Sequence, residues 1–79
     1  MAALREHRLE DARRLFAREV ERTPDYHEFQ FWLAVTYAEL NDPKHAAEHL
    51  ARAMEASTTR RDHDLYAAKL DRLKALGPQ

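Results

Sequence analysis

The sequence predicts an all-α domain built from three to four antiparallel helices. Apolar residues recur every three or four positions along several stretches, which is the spacing of one face of an α-helix. A single Gly and three Pro in 79 residues leave few positions for the tight turns of a β protein. The hydrophobic share of 44% and the charged share of 34% favour a folded helical domain over a disordered chain.

Composition and charge exclude several classes of protein. The chain has no Cys and no Gly-rich loop, which excludes thiolate chemistry and a nucleotide cradle. Its net charge of −1 does not steer a protein toward nucleic acid or anionic lipid. No apolar run reaches the roughly 20 residues that span a bilayer, and the N-terminus lacks the apolar segment of a secretory signal. We therefore expect a cytoplasmic protein that binds neither nucleic acid nor membrane and needs no cofactor.

The first helix is expected over residues 3–22. Its apolar residues share one helical face, and Pro24 ends the segment because the residue before a proline disfavours the helical conformation. The residues that mark this face are Leu9, Leu15, Phe16 and Val20. One neighbouring helix cannot cover all of these side chains, so a homodimer or an exchanged helix would bury the remainder. Self-association through this helix is therefore one candidate function.

The second helix is expected to begin with a capping box. Asp25 would serve as N-cap and Glu28 as the third helical residue, a pairing that satisfies free backbone N–H groups. The stripe that faces the core is Phe29, Leu33, Tyr37 and Leu40. Asn41 follows this stripe, and Asn tolerates the left-handed conformation that ends many helices. A tight break is therefore expected directly after the second helix.

The third helix is expected over residues 44–56. Asp42 and Pro43 are residue types preferred at the N-cap and at the first helical position. The residues expected to point inward are Ala46, Ala47, Leu50, Ala53 and Met54. Most of these side chains are small, so this helix is expected to approach its neighbours closely.

The fourth helix is expected over residues 61–76. Thr59, three residues before Asp62, predicts a capping box at its start. Gly77 and Pro78 predict its end, because Gly adopts the left-handed conformation readily and Pro cannot continue a helix. The stripe that faces the core is Tyr66, Leu70, Leu73 and Leu76.

Two pairs of segments repeat with nearly the same period. A shift of 34 residues places Ala12, Phe16 and Val20 on Ala46, Leu50 and Met54. A shift of 33 residues places Leu33, Ala34, Tyr37 and Leu40 on Tyr66, Ala67, Leu70 and Leu73. Periods of about 20 to 50 residues are typical of solenoids made from repeated units. The sequence therefore predicts a stack of repeating helix pairs.

The repeating residues resemble the motif of the tetratricopeptide repeat (TPR) family. That motif has a large, a small and an aromatic residue in its first helix, then a small–large–small series in its second. The corresponding residues here are Leu33, Ala34, Tyr37, Ala46, Leu50 and Ala53. Pro24 matches the proline that closes a repeat. Gln30 stands at the family's usual tryptophan position, and Thr58 stands at the next closing proline.

The resemblance implies a right-handed superhelical stack of antiparallel helices in a single domain, residues 1–79. Residues 3–22 would be the second helix of an incomplete repeat. Residues 27–60 would form a complete repeat, and residues 61–76 would form a capping helix. In such stacks the first helices of successive repeats line a concave groove that binds peptides.

The resemblance also predicts which residues meet a partner. They are Glu28, Phe31, Val35, Glu39 and Asp64. Phe31 and Val35 lie off the core-facing stripe, so they are apolar residues without an evident core role. The alternative for Phe31 is packing on the N-terminal helix. Because Glu28 and Glu39 favour basic groups, the expected partner is a basic-hydrophobic peptide, and the predicted function is a scaffold without chemistry.

A histidine pair offers a further alternative on the third helix. His45, Glu48 and His49 spell the H-x-x-E-H motif of inverted zinc proteases. A catalytic zinc needs a third protein ligand, and the chain has no room for the downstream domain that usually supplies it. Both His residues are expected in solvent, on the face opposite the core. We therefore expect a solvated face rather than an enzyme, with His45 and His49 as the candidate ligands of a metal-binding or hydrolytic site.

Overall fold

The computed structural model describes the backbone of residues 2–76 and the side chains of residues 7–75. Within that backbone there is no strand, and the predicted all-α class is confirmed. The helices are α1 (Ala2–Arg22), α2 (His27–Glu39), α3 (Pro43–Ala56) and α4 (Arg60–Leu76). The predicted stop at Gly77 and Pro78 lies outside the described residues.

Helices that are adjacent in sequence pack on one another. The main contacts join α1 to α2, α2 to α3, and α3 to α4. The connection between α2 and α3 spans only residues 40–42, so α3 must fold back along α2. The Cα trace measures 38 × 33 × 17 Å. Its shortest dimension corresponds to about two helix layers, since packed helix axes lie about 8–10 Å apart.

The turn between α2 and α3 follows the sequence prediction. Asn41 has a φ of 61°, the left-handed conformation expected of it. Asp42 is the N-cap of α3, where its Oδ1 accepts the backbone N–H of His45 at 3.2 Å. Pro43 is the first helical residue. One residue thus ends a helix and the next residue starts another, which makes the turn short.

The start of α4 also follows the prediction. The hydroxyl of Thr59 accepts the backbone N–H of Asp62 at 3.1 Å. The carbonyl of Thr59 accepts the N–H of His63 at 3.0 Å, which is the first hydrogen bond of the helix. Thr59 therefore acts as the cap that its position before Asp62 predicts.

The predicted capping box at the start of α2 is wrong. The N-cap is Tyr26, which is extended with a φ of −86° and a ψ of 103°, and its side chain makes no cap hydrogen bond. The reason is a turn through Pro24 and Asp25, closed by the N–H of Tyr26 donating to the carbonyl of Thr23 at 3.1 Å. The hydroxyl of Tyr26 donates instead to the carboxylate of Glu28 at 2.9 Å.

Replacing the two aspartates one at a time distinguishes the real cap from the wrongly predicted one. Asp42→Ala is expected to lower the free energy of unfolding by about 0.5–2 kcal/mol, because an N-terminal N–H of α3 loses its acceptor. Asp25→Ala is the matched control and is expected to change stability by less than about 0.5 kcal/mol. Urea denaturation followed by far-UV circular dichroism measures both. Equal losses from the two variants would contradict the assignment of Asp42 as the working cap.

The hydrophobic core lies between α2, α3 and α4. Ala34, Leu50, Ala53 and Tyr66 form a buried cluster, against which Phe31, Met54, Leu70 and Leu73 pack. Ala46 and Ala53 have no exposed surface, and Leu33 is 1% exposed. Small residues at fully buried positions let the neighbouring helices approach closely. The inward direction predicted for Ala46, Leu50 and Ala53 is thus confirmed.

Candidate functional site

A groove of about 450 Å³ runs between α2 and α4. Its floor and walls are formed by Phe31, Ala34, Val35, Ala38 and Glu39 of α2, Leu50 of α3, and Lys69, Arg72 and Leu73 of α4. The structure therefore brings together three of the predicted partner-binding residues, Phe31, Val35 and Glu39. It also adds two cations, Lys69 and Arg72, that the sequence analysis did not select.

Phe31 packs on α4, where the sequence analysis considered packing on the N-terminal helix. Its ring stacks on the ring of Tyr66, with centroids 5.1 Å apart and an interplanar angle of 28°. It also makes an edge contact with Trp32, with centroids 5.3 Å apart. Phe31 is partly buried, so one part of its ring supports the core while another part lines the groove. The core contact of Phe31 is thus with α4 rather than with the N-terminal helix, and its contact with a partner stays a prediction.

Tyr66 joins the two walls of the groove at one end. Its hydroxyl lies 2.7 Å from Nδ1 of His27, the first residue of α2. Burial raises the pKa of the Tyr66 hydroxyl, and the negative charges of Asp62 and Glu28 raise it further. The hydroxyl is therefore neutral at physiological pH. Nε2 of His27 is also 4.0 Å from the carboxylate of Asp62, which adds a second link between α2 and α4.

The charges around the groove are unequal on its two walls. On α4, Nζ of Lys69 lies 5.9 Å from the centroid of the Phe31 ring, within the range of a cation–π interaction. Arg72 lines the groove one helical turn further along α4. On α2 the charged residue of the lining is Glu39. Glu28 is exposed and accepts the hydroxyl of Tyr26, and it does not line the groove.

Asp64, like Glu28, does not line the groove. It is exposed on α4, with Oδ1 3.5 Å from Nδ1 of His63. The reason is helical geometry, since Asp64 precedes Lys69 by five residues, or about 140° around the helix axis. The wall of the groove belongs to the Lys69 side of α4, and Asp64 points away from it.

The face of α1 proposed for self-association is mostly covered within the chain. Val20 is 9% exposed, and Leu9 and Phe16 are partly buried. Leu15 alone of the four is exposed, at 55%. The expectation that one neighbouring helix cannot cover all four side chains therefore holds at Leu15, whereas Val20 is covered and Leu9 and Phe16 are covered in part. Self-association through this helix stays a prediction, with Leu15 as the most exposed side chain of the set.

The histidine pair on α3 is not the solvated pair that the sequence predicts. His45 is exposed, and its Nδ1 lies 2.7 Å from Oδ2 of Asp42. His49 is partly buried, and its ring is nearly parallel to the ring of Tyr37, with centroids 5.5 Å apart. The ring of Tyr37 also stacks on His45, at 5.0 Å. Among the residues with described side chains, no group of three or more His, Cys, Asp and Glu could hold a metal ion.

Gln30 explains why His49 turns inward. Gln30 is 2% exposed, and its Nε2 donates to the carbonyl of Pro24 at 3.2 Å. This contact directs its Oε1 toward Nδ1 of His49, 2.9 Å away, so Nδ1 of His49 is the donor. Burial lowers the pKa of the His49 imidazole, and the positive charge of Arg52 lowers it further. The neutral imidazole is therefore more favoured than in a free histidine, and its Nδ1 carries the hydrogen that it donates to Gln30.

Sequence reasoning missed the structural role of Gln30. Its helical spacing from Leu33, Ala34 and Tyr37 places it on the buried side of α2, which is the one local signal for burial. A glutamine on that side needs buried partners, and the two that it has are distant along the chain.

No family model, curated protein or solved structure matches the chain in the comparisons. No helix within the described part of the chain is both long enough and apolar enough to cross a membrane. The groove between α2 and α4 brings together three of the five predicted partner-binding residues, and it offers apolar and charged contacts side by side.

Proposed function

We propose that the chain is a protein-interaction module that binds a peptide segment of a partner in the groove between α2 and α4. The single observation that supports it best is the apolar lining that the core leaves accessible. Val35 and Leu73 are only partly buried and Ala38 is exposed, yet all three face the same groove. Apolar side chains that share an open concavity gain free energy when a partner removes them from water.

The resemblance to TPR proteins supports the same proposal. We infer that residues 27–60 form one TPR-like repeat, because Leu33, Ala34, Ala46, Leu50 and Ala53 are all buried at the positions that the motif implies. In that family the first helices of successive repeats line the binding groove. In this chain α2 and α4 hold those places, and the groove lies between them.

The proposed mechanism is binding without chemistry. Among the residues with described side chains, the titratable ones that line the groove are Glu39, Lys69 and Arg72, and no Ser, Cys or His of that part lines it as a nucleophile or base. A partner segment would place apolar side chains on the floor and polar groups along the charged rims. The geometry of the lining thus supports recognition better than catalysis.

Two variants with the same added charge test the location of the binding site. Peptides are first selected from a displayed random library against the immobilised wild-type protein, and their Kd is then measured by fluorescence anisotropy. Val35→Lys is expected to weaken binding about 10- to 100-fold, because burial of one aliphatic side chain contributes about 1.5–3 kcal/mol and each 1.4 kcal/mol is tenfold. Leu15→Lys, on the exposed part of α1, is expected to leave Kd unchanged.

The opposite pattern would show that the groove is not the binding site. If Leu15→Lys abolishes binding and Val35→Lys does not, α1 is the interaction surface and self-association gains support. Selected peptides that are insensitive to both variants would place the binding site elsewhere. Circular dichroism of each variant shows that the comparison is made between folded proteins.

A further inference from the structure

We propose that the segment bound in this groove is acidic as well as apolar, with side-chain carboxylates against Lys69 and Arg72 of α4. This inference rests on the proposed function, because it specifies the chemistry of the partner at the same groove. It differs from the basic-hydrophobic partner that Glu28 and Glu39 predict from the sequence.

The charges of the residues that line the groove support this inference. The α4 wall contributes two cations, Lys69 and Arg72, and the α2 wall contributes one anion, Glu39. The contribution of α3 is the apolar Leu50. The lining is therefore net positive, whereas the whole chain has a net charge of −1. A local excess of positive charge beside an apolar floor favours a ligand that is negative beside its apolar face.

The positions of the two cations allow one bound segment to contact both of them. Lys69 and Arg72 are three residues apart on α4, or about 4.5 Å along the helix axis. Lys69 lies over the Phe31 ring, so its ammonium stands beside the apolar floor. Carboxylates on one side of a bound segment can therefore meet both cations while the apolar side chains of the segment enter the groove. Arg also offers a planar fork that binds a carboxylate through two hydrogen bonds.

The same geometry disfavours a basic ligand. Glu28, one of the two acidic residues behind that expectation, lies outside the lining and accepts the hydroxyl of Tyr26. A Lys or Arg of the ligand that reached Glu39 would approach the α4 wall, where Lys69 and Arg72 have the same sign of charge. Like charges in a partly enclosed groove repel more strongly than charges in bulk water.

The test uses the peptides selected from the random library and keeps those whose binding Val35→Lys weakens. Their net charge is compared with that of the unselected library, and Kd is measured against Arg72→Glu, Lys69→Glu and the matched control Lys74→Glu. Lys74 is also an exposed cation on α4, and it does not line the groove. Arg72 is exposed and lies outside the core cluster, so Arg72→Glu tests charge even if Lys69→Glu also disturbs the packing of Phe31.

The expected result is an excess of Asp and Glu in the groove-dependent peptides. Arg72→Glu is expected to weaken their binding about tenfold, because one favourable ion pair becomes a repulsion. Lys74→Glu is expected to change Kd less than about twofold. Added salt should weaken binding to the wild type and narrow the difference from Arg72→Glu.

The outcomes separate the inference from the proposed function. Groove-dependent peptides that are basic or neutral would overturn the acidic partner and leave the groove as a binding site. Equal losses from Arg72→Glu and Lys74→Glu would overturn it as well, since the effect would then reflect only the charge of α4. If no selected peptide depends on Val35, both the inference and the proposed function are wrong.

Discussion

Leu33→Ala is expected to lower the free energy of unfolding by about 2–5 kcal/mol. Leu33 is 1% exposed and is the largest side chain that is fully buried among the described residues. Its truncation removes apolar contacts and leaves a cavity that the surrounding structure fills only in part. A small domain is stabilised by about 0.05–0.15 kcal/mol per residue, so this loss is a large fraction of the total.

Urea denaturation of Leu33→Ala against Leu15→Ala measures the effect. Leu15 is 55% exposed, and the same chemical change there is expected to alter stability by less than about 0.5 kcal/mol. The pair separates burial from helix propensity, because Leu and Ala are exchanged inside a helix in both variants. Comparable losses at the two positions would show that Leu15 is buried in solution, for example in an assembly of copies.

Gln30→Leu is expected to be strongly destabilising although it adds an apolar side chain of similar size to a buried position. The carbonyl of Pro24 loses its donor, and Nδ1 of His49 loses its acceptor. A fully buried polar group left without a partner costs about 1–3 kcal/mol, and these partly buried groups are expected to cost up to that much each.

A double-mutant cycle with His49→Leu isolates the interaction between the two side chains. Denaturation of the wild type, both single variants and the double variant gives a coupling free energy, expected at about 0.5–3 kcal/mol. The double variant should lose less than the sum of the single losses, because His49→Leu removes one of the groups that Gln30→Leu leaves unpaired. Strict additivity would mean that Gln30 and His49 do not interact in solution.

The number and order of the helices follow from local signals in the sequence. The apolar spacing gives each helix its buried face, and Asp42 and Thr59 cap the helices that they precede. The start of α2 does not follow from local signals, because Asp25 suits both an N-cap and a turn. Asp25 is a preferred N-cap residue type, but it lies inside the turn that the hydrogen bond between Tyr26 and Thr23 closes, so Tyr26 is the N-cap. Residue preference alone does not decide between a cap and a turn.

The groove was predictable on the α2 side and not on the α4 side. Phe31, Val35 and Glu39 lie off the core-facing stripe of α2, and that observation predicted that they share a face outside the core. On α4 both Asp64 and Lys69 are exposed charged residues, and periodicity does not tell which of them faces α2. The residue that faces α2 depends on the orientation of α4 about its own axis. The stacking of Tyr66 on Phe31, a tertiary contact, accompanies that orientation.

Polar contacts between residues that are distant along the chain could likewise not be predicted from the sequence pattern. Gln30 and His49 are 19 residues apart, and although helical spacing places Gln30 on the buried side of α2, it does not identify the partner of Gln30 on α3. Their burial depends on the close approach of α2 and α3, which the small residues Ala46 and Ala53 allow. Prediction of the pair would require the three-dimensional packing first.

Tyr66 has a thermodynamic consequence for binding in the groove. Its ring stacks on Phe31 and its hydroxyl lies 2.7 Å from His27, so the two walls are joined before any partner arrives. A segment that binds there meets side chains that are already ordered, and the entropy cost of association falls mainly on the segment. Under the proposed function the chain is therefore a preorganised template, and partners that are themselves rigid gain the most affinity.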